Sequence, residues 1–128
     1  MTVRHAGSAE VRAVIDRYAG LPFRWGLDCC QFAGECMAAV GGHNPMDGLN
    51  YDDEASAQAL IDRHGGMRAA LLAVFGEPYD GCKNGDVLYV SRCGVEMAGV
   101  VYRGRCVVRT QQGLMDWPIE WASLVWES

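Results

Sequence analysis

The chain has 128 residues, half of them hydrophobic and 21% charged, which excludes a disordered chain and allows one core without metal or disulfide staples. Eleven basic against sixteen acidic residues leave a net charge of −5, which argues against a nucleic-acid or anionic-membrane binder. No apolar run approaches the roughly 20 residues of a membrane span, and the opening Met1-Thr2-Val3-Arg4-His5-Ala6-Gly7 lacks the apolar stretch of a secretory signal.

The first half reads as helical. Ser8 is the expected N-cap of a first helix, in which Val11, Val14, Ile15 and Tyr18 recur at i, i+3, i+4 and i+7. Gly20 and Pro22 end it, and an aromatic segment, Leu21 to Gly26, follows. Asp28 is the N-cap of a second helix, whose Cys29, Phe32, Ala33, Cys36, Met37 and Val40 share one face before Gly41-Gly42. Residues 43–53 are turn-rich, with Asn44-Pro45 and Asp47-Gly48. A third helix is expected from about Asp53 to His64, and a short apolar fourth from Met67 to Phe75. Asp52-Asp53-Glu54 suggests a cation site, but acids favour a first helical turn, so helix capping is the preferred reading.

Beyond Pro78 the period changes to two. Strands are expected at Val87–Val90, opened by Gly85-Asp86, and at Glu96–Tyr102, Cys106–Thr110, Leu114–Trp117 and Trp121–Trp126. Tight turns such as Arg103-Gly104 and Gln112-Gly113 join them, so the sheet is antiparallel and the class α+β, with N-terminal helices packed on a C-terminal sheet. No repeat or linker divides residues 1–128, which form one domain.

The six cysteines, at 29, 30, 36, 82, 93 and 106, form no Cys-x-x-Cys pair. Free thiols are the default without an export signal, and most are read as small buried hydrophobes. No cofactor is expected; zinc or an iron–sulfur cluster held by the cysteines is the lesser alternative. Cys29 stands out because it follows a helix cap, where unpaired backbone N–H groups and the helix dipole stabilise a thiolate, the nucleophilic form. The plainer reading makes it the first core-facing position of its helix. Trp117, Trp121 and Trp126 have two readings, a docking patch for a partner or packing against the sheet.

In chain order, Trp25-Gly26, Asp28-Cys29 with Phe32, Gly85-Asp86 and Ala98-Gly99-Val100-Val101 resemble the motifs of the NlpC-type cell-wall peptidases, small papain-like cysteine peptidases. The resemblance spans about residues 15 to 110. It implies an NlpC-like, papain-like fold with Cys29 as the nucleophile. It puts the base, a histidine in the family, at Met97, and its orienting residue near Arg109 to Gln112, where Gln111 is the candidate. Methionine cannot accept a proton, so the resemblance implies a scaffold without its general base. His5, His43 and His64 are the remaining histidines, and none stands at the family's position. More closely, the chain is similar to a small group of phage-encoded proteins, sharing the aromatic-Gly-x-x-Asp-Cys start, an acidic Tyr51-Asp52-Asp53 loop, the Gly-Asp-Val strand and an end like Gly113-Leu114 to Pro118. That likeness implies a tail-assembly or tail-tip protein of the virion, assembled in the host cytoplasm and binding other phage tail proteins. The alternative is a cysteine endopeptidase that cleaves peptidoglycan stem peptides.

Overall fold

A computed structural model describes residues 6–26 and 28–128. Four helices, α1 (Ser8–Ala19), α2 (Cys29–Gly41), α3 (Glu54–His64) and α4 (Met67–Phe75), pack against a five-stranded antiparallel sheet. Its strands are β1 (Val87–Arg92), β2 (Val95–Tyr102), β3 (Arg105–Thr110), β4 (Gly113–Trp117) and β5 (Ala122–Trp126), in the order β4-β3-β2-β1-β5. The α+β expectation is met. No helix among the described residues is long and apolar enough to cross a membrane.

β1 runs two residues further than expected, β2, β3 and β4 each start one residue earlier, and two other boundaries differ for a physical reason. Ser8 is the first helical residue, not the cap; Gly7 caps α1 through its carbonyl, which accepts from the Val11 amide at 3.0 Å, with no side-chain cap. Trp121 belongs to a single 3-10 turn, Ile119–Trp121, and β5 begins at Ala122. Pro118 sets this up, because it cannot donate to a strand ladder.

The helices cover one face of the sheet. Val11, Val14 and Tyr18 of α1 and Phe32, Ala33 and Cys36 of α2 meet Val87, Tyr89, Ala98, Val100 and Val107. Phe32 is fully buried, edge-on to Tyr18 with ring centroids 5.1 Å apart. Truncating such a residue costs about 3–5 kcal/mol. On the opposite face Leu88, Val90, Val101, Cys106 and Val108 form a second cluster. Both faces of β1 are therefore covered, and its four consecutive apolar residues suit that position.

The link between the two edge strands shapes the sheet. Four residues, three of them in the 3-10 turn, join β4 to β5. Such a link reaches roughly 14 Å, whereas a flat five-stranded sheet is roughly 19 Å across. The sheet therefore curls, and Trp117, Ile119, Ala122 and Val125 close over the second cluster.

Gly85 permits the close approach of α2 to the start of β1. Its φ of 90° suits glycine, and a Cβ there would lie 2.5 Å from the Val40 side chain. Asp86 beside it is wholly buried. Its Oδ1 accepts from the Ser128 amide at 2.8 Å and Lys83 Nζ at 3.2 Å, and its Oδ2 from the Lys83 amide at 2.9 Å and the Tyr79 hydroxyl.

Candidate functional site

The site is built around the first turn of α2. Asp28 caps it and is 4% exposed. Its Oδ1 accepts from the Cys30 amide at 3.0 Å, the Gln31 amide at 3.2 Å and the Tyr51 hydroxyl at 3.0 Å, and its Oδ2 from the Gly26 amide at 3.2 Å. One carboxylate thus fixes the helix start, the end of the aromatic segment and the loop between α2 and α3. Burial, followed by the negative charge of Asp28, pushes the Tyr51 hydroxyl up, so it keeps its proton and stays a donor.

Two further contacts hold the surrounding loops. Gly34 leaves room for Asn44, whose Oδ1 accepts from the Met46 amide at 2.9 Å; a Cβ at Gly34 would lie 2.2 Å from that oxygen. This seats the 43–53 loop on α2. Arg109 is buried in β3 and donates to the carbonyls of Tyr18 at 3.1 Å and Leu21 at 3.0 Å. Its guanidinium also lies 5.3 Å from the Tyr18 ring centre and 5.9 Å from that of Phe23. The end of α1 and the aromatic segment are thereby tied to the sheet, and Phe23 packs edge-on against Trp25 at 5.2 Å.

Cys29 is half-buried between two hollows. The first, about 100 Å³, is apolar and enclosed by Met46, Leu49, Leu60, Leu71 and Val74, with Cys30 and His64 in its wall. The second, about 310 Å³, is a cleft between the aromatic segment and the tips of β2 and β3. Cys29, Met97 and Gln111 all line this cleft, with Phe23 and Trp25 on one side and Glu96, Thr110 and Gln112 on the other. The fold thus brings together three residues that are 68 and 82 positions apart from the first. Among the described residues that line the cleft there is no histidine. Glu96 accepts from the Tyr89 hydroxyl.

The other histidines are placed as follows. His5 lies outside the described residues. His43 is exposed in the loop after α2. His64 is exposed at the end of α3, and its Nδ1 lies 2.8 Å from the Leu60 carbonyl. A carbonyl only accepts, so Nδ1 carries a proton, and in the neutral ring Nε2 is then the acceptor.

The six thiols are free. The Cys29 and Cys30 sulfurs are 3.9 Å apart. The hydrogen bond with Cys29 pushes the Cys30 thiol up, and burial and the nearby negative charges add to it. Burial also pushes up Cys36, and it takes Cys106 up to about 12. Only these two of the six are buried hydrophobes, which corrects the expectation that most of the cysteines are; Cys29 and Cys30 are half-buried at the helix start. Cys82 and Cys93 are exposed.

The tryptophans divide. Trp126 is 1% exposed, tilted against Phe75, and its indole donates to the Gly76 carbonyl at 2.8 Å. It is a core residue, which removes it from a docking patch. Trp117 and Trp121 are half-buried and pack edge-on at 5.5 Å, with the Arg92 guanidinium 4.9 Å from the Trp121 ring centre. At the start of α3, Asp53 and Ser56 form a reciprocal capping box, in line with the preferred reading of the acidic run. Sequence reasoning missed Arg109 and Tyr51 as supports of the site. The available signal for Arg109 was a charged residue directly after the apolar strand run Cys106-Val107-Val108.

The arrangement offers a thiol beside a polar cleft, side-chain amides and a hydroxyl to hydrogen-bond an extended ligand, and an aromatic wall to pack on. It puts no proton acceptor at Met97. Residues 3–128 match the family described as Domain of unknown function (DUF6950), and the chain belongs to that family. No curated protein and no solved structure matches it.

Proposed function

We propose that this member of the family is a structural component of a phage tail, which binds other tail proteins through a cleft inherited from an NlpC-like cysteine peptidase. One observation carries the reading. Cys29, Met97 and Gln111, the positions that the resemblance assigns to nucleophile, base and orienting residue, line one cleft, and the middle one is a thioether. Without a base the thiol is not activated for acyl transfer, while the cleft keeps the amides and aromatic wall that hold a peptide. Assembly in the host cytoplasm and residence in the virion tail belong to the same reading.

Two measurements test it. The wild-type chain should release no fragments from peptidoglycan, and deleting its gene from a phage that encodes it should give particles with absent or defective tails in electron micrographs. Normal, infectious particles from the deletion would overturn the structural role. The Met97→His variant tests the scaffold separately, because it puts an imidazole in the cleft with Cys29. Iodoacetamide should label Cys29 faster in this variant than in wild type, and an unchanged rate counts against the peptidase-like arrangement.

A second reading rests on His64, which lines the apolar hollow together with Cys29 and leaves Nε2 as an acceptor. It makes the chain a peptidoglycan stem-peptide endopeptidase with Cys29 as nucleophile. Muralytic activity lost in both Cys29→Ser and His64→Ala would replace the first reading with this one.

A further inference from the structure

We infer that the Cys29–Cys30 pair is a binding site for one soft monovalent cation of the Cu(I) type. The sulfurs lie 3.9 Å apart, and their ligand atoms and the Asp28 carboxylate lie within 4.8 Å of one another. With metal–thiolate bonds of about 2.3 Å, two sulfurs at that separation subtend roughly 115° at a shared ion. That angle suits a three-coordinate site, which needs one further donor.

The surroundings decide which ion. A hard cation would bind through the carboxylate, but Asp28 already accepts four hydrogen bonds, and those bonds hold the helix start and two loops. On the side of the apolar hollow what remains is largely sulfur and hydrocarbon, with Tyr51 and His64 the other polar groups in the wall. Met46 lines the apolar hollow, Met97 the cleft, and Met67 both. Thiolate and thioether donors do not suit calcium or magnesium; thiolates also bind zinc, but zinc takes four ligands, whereas two thiolates and one neutral thioether suit three-coordinate Cu(I). Met67, buried and common to both hollows, is assigned as the third, neutral donor. Binding releases the two thiol protons to solvent, and the resulting thiolates sit at the positive end of α2.

The test uses the full chain, reduced and kept free of oxygen, titrated with Cu(I) against a chromophoric Cu(I) chelator, with native mass spectrometry for stoichiometry. One tight equivalent is expected. Loss of an outer hydrogen-bond partner typically weakens a metal site by 10- to 100-fold. Cys29→Ser and Cys30→Ser remove ligands themselves, so each should weaken binding by about 100-fold or more. Met67→Leu, which keeps the shape and removes the sulfur, should cost about tenfold. The Cys82→Ser/Cys93→Ser double variant and His64→Ala should bind as wild type does.

Equal binding by Cys29→Ser and wild type, or loss of binding in the double variant, would show capture by exposed thiols and overturn the site. Weaker binding in His64→Ala, with Zn(II) preferred to Cu(I), would make this a nitrogen-donor site and overturn the assignment. A second measurement on wild type avoids variants that fail to fold. One equivalent of Cu(I) should protect Cys29 from iodoacetamide and leave Cys82 and Cys93 open; protection of all three, or of none, contradicts the proposal.

Discussion

Asp28 and Asp86 are two buried carboxylates that each accept four hydrogen bonds, yet they do different work. Asp28 gathers neutral donors, three backbone amides and the Tyr51 hydroxyl, and joins two loops to a helix start beside the cleft. Asp86 gathers the Lys83 ammonium with its amides and the Tyr79 hydroxyl, and ties Ser128 to the start of β1. The partition also differs. Asp28 takes three donors on one oxygen and one on the other, whereas Asp86 takes two on each. A buried acid is thus shaped by its donor geometry as much as by its charge. The acid at the site is the one whose negative charge has no cation among its four donors.

The largest expected effects come from replacing each acid by its amide. At Asp86 either orientation of Asn points an NH₂ at two donors and removes the charge that faces Lys83. Asp86→Asn should cost about 3–4 kcal/mol in urea unfolding, on a cost of about 1–3 kcal/mol for each unsatisfied buried group. At Asp28 the amide oxygen can keep three donors and lose only the Gly26 amide. Asp28→Asn should therefore cost about 1–2 kcal/mol. Equal losses would break the comparison.

A smaller effect is expected on neighbouring thiols. The charge of Asp28 contributes to the raised Cys30 thiol, and that of Asp86 contributes to the raised Cys82 thiol after burial. Asp28→Asn should speed alkylation of Cys30 a few-fold and leave Cys82 unchanged, and Asp86→Asn should do the reverse. Mass spectrometry of each labelled cysteine separates these outcomes.

The smallest effect concerns an exposed acid. Hydrogen bonds from the Ser56 amide and hydroxyl hold the Asp53 carboxyl below its usual 3.8. A lowered carboxyl stabilises the fold above its unfolded value, and that contribution is lost as pH falls through the folded value. Amide exchange in the first turn of α3, corrected for its intrinsic rate, should therefore rise as pH drops below 3.8, while the first turn of α1, which has no side-chain cap, shows no such rise.

The helices and strands were legible because each signal was local. Asp28 and Asp53 are caps that act within three residues, and β1 declares itself by four apolar residues after a Gly-Asp turn. The convergence of Cys29, Met97 and Gln111 on one cleft was expected from ordered motifs, although the spacing between them carries no geometry. What stayed hidden depends on distant packing. Three tryptophans within ten residues look alike in sequence, but Trp126 pairs with Val87 and joins the helix-side cluster, whereas Trp117 pairs with Cys106 and packs on the opposite one. The apolar hollow depends on where residues 43–53 settle, which the fit of Asn44 against Gly34 decides. Arg109 looked like part of a polar strand end, and its carbonyl partners lie 91 and 88 positions away.

The curled sheet also imposes an order on the chain as it is made. β2 pairs with β1 soon after it emerges, since only Cys93 and Gly94 separate them. The other side of β1 waits for residues 122–126, more than thirty positions on. Until then Val87-Leu88-Tyr89-Val90 presents an apolar strand with one open edge, a ready template for pairing with a second chain. A nascent chain stalled before Ala122 is therefore the form most exposed to aggregation, and completion of β5 removes that hazard.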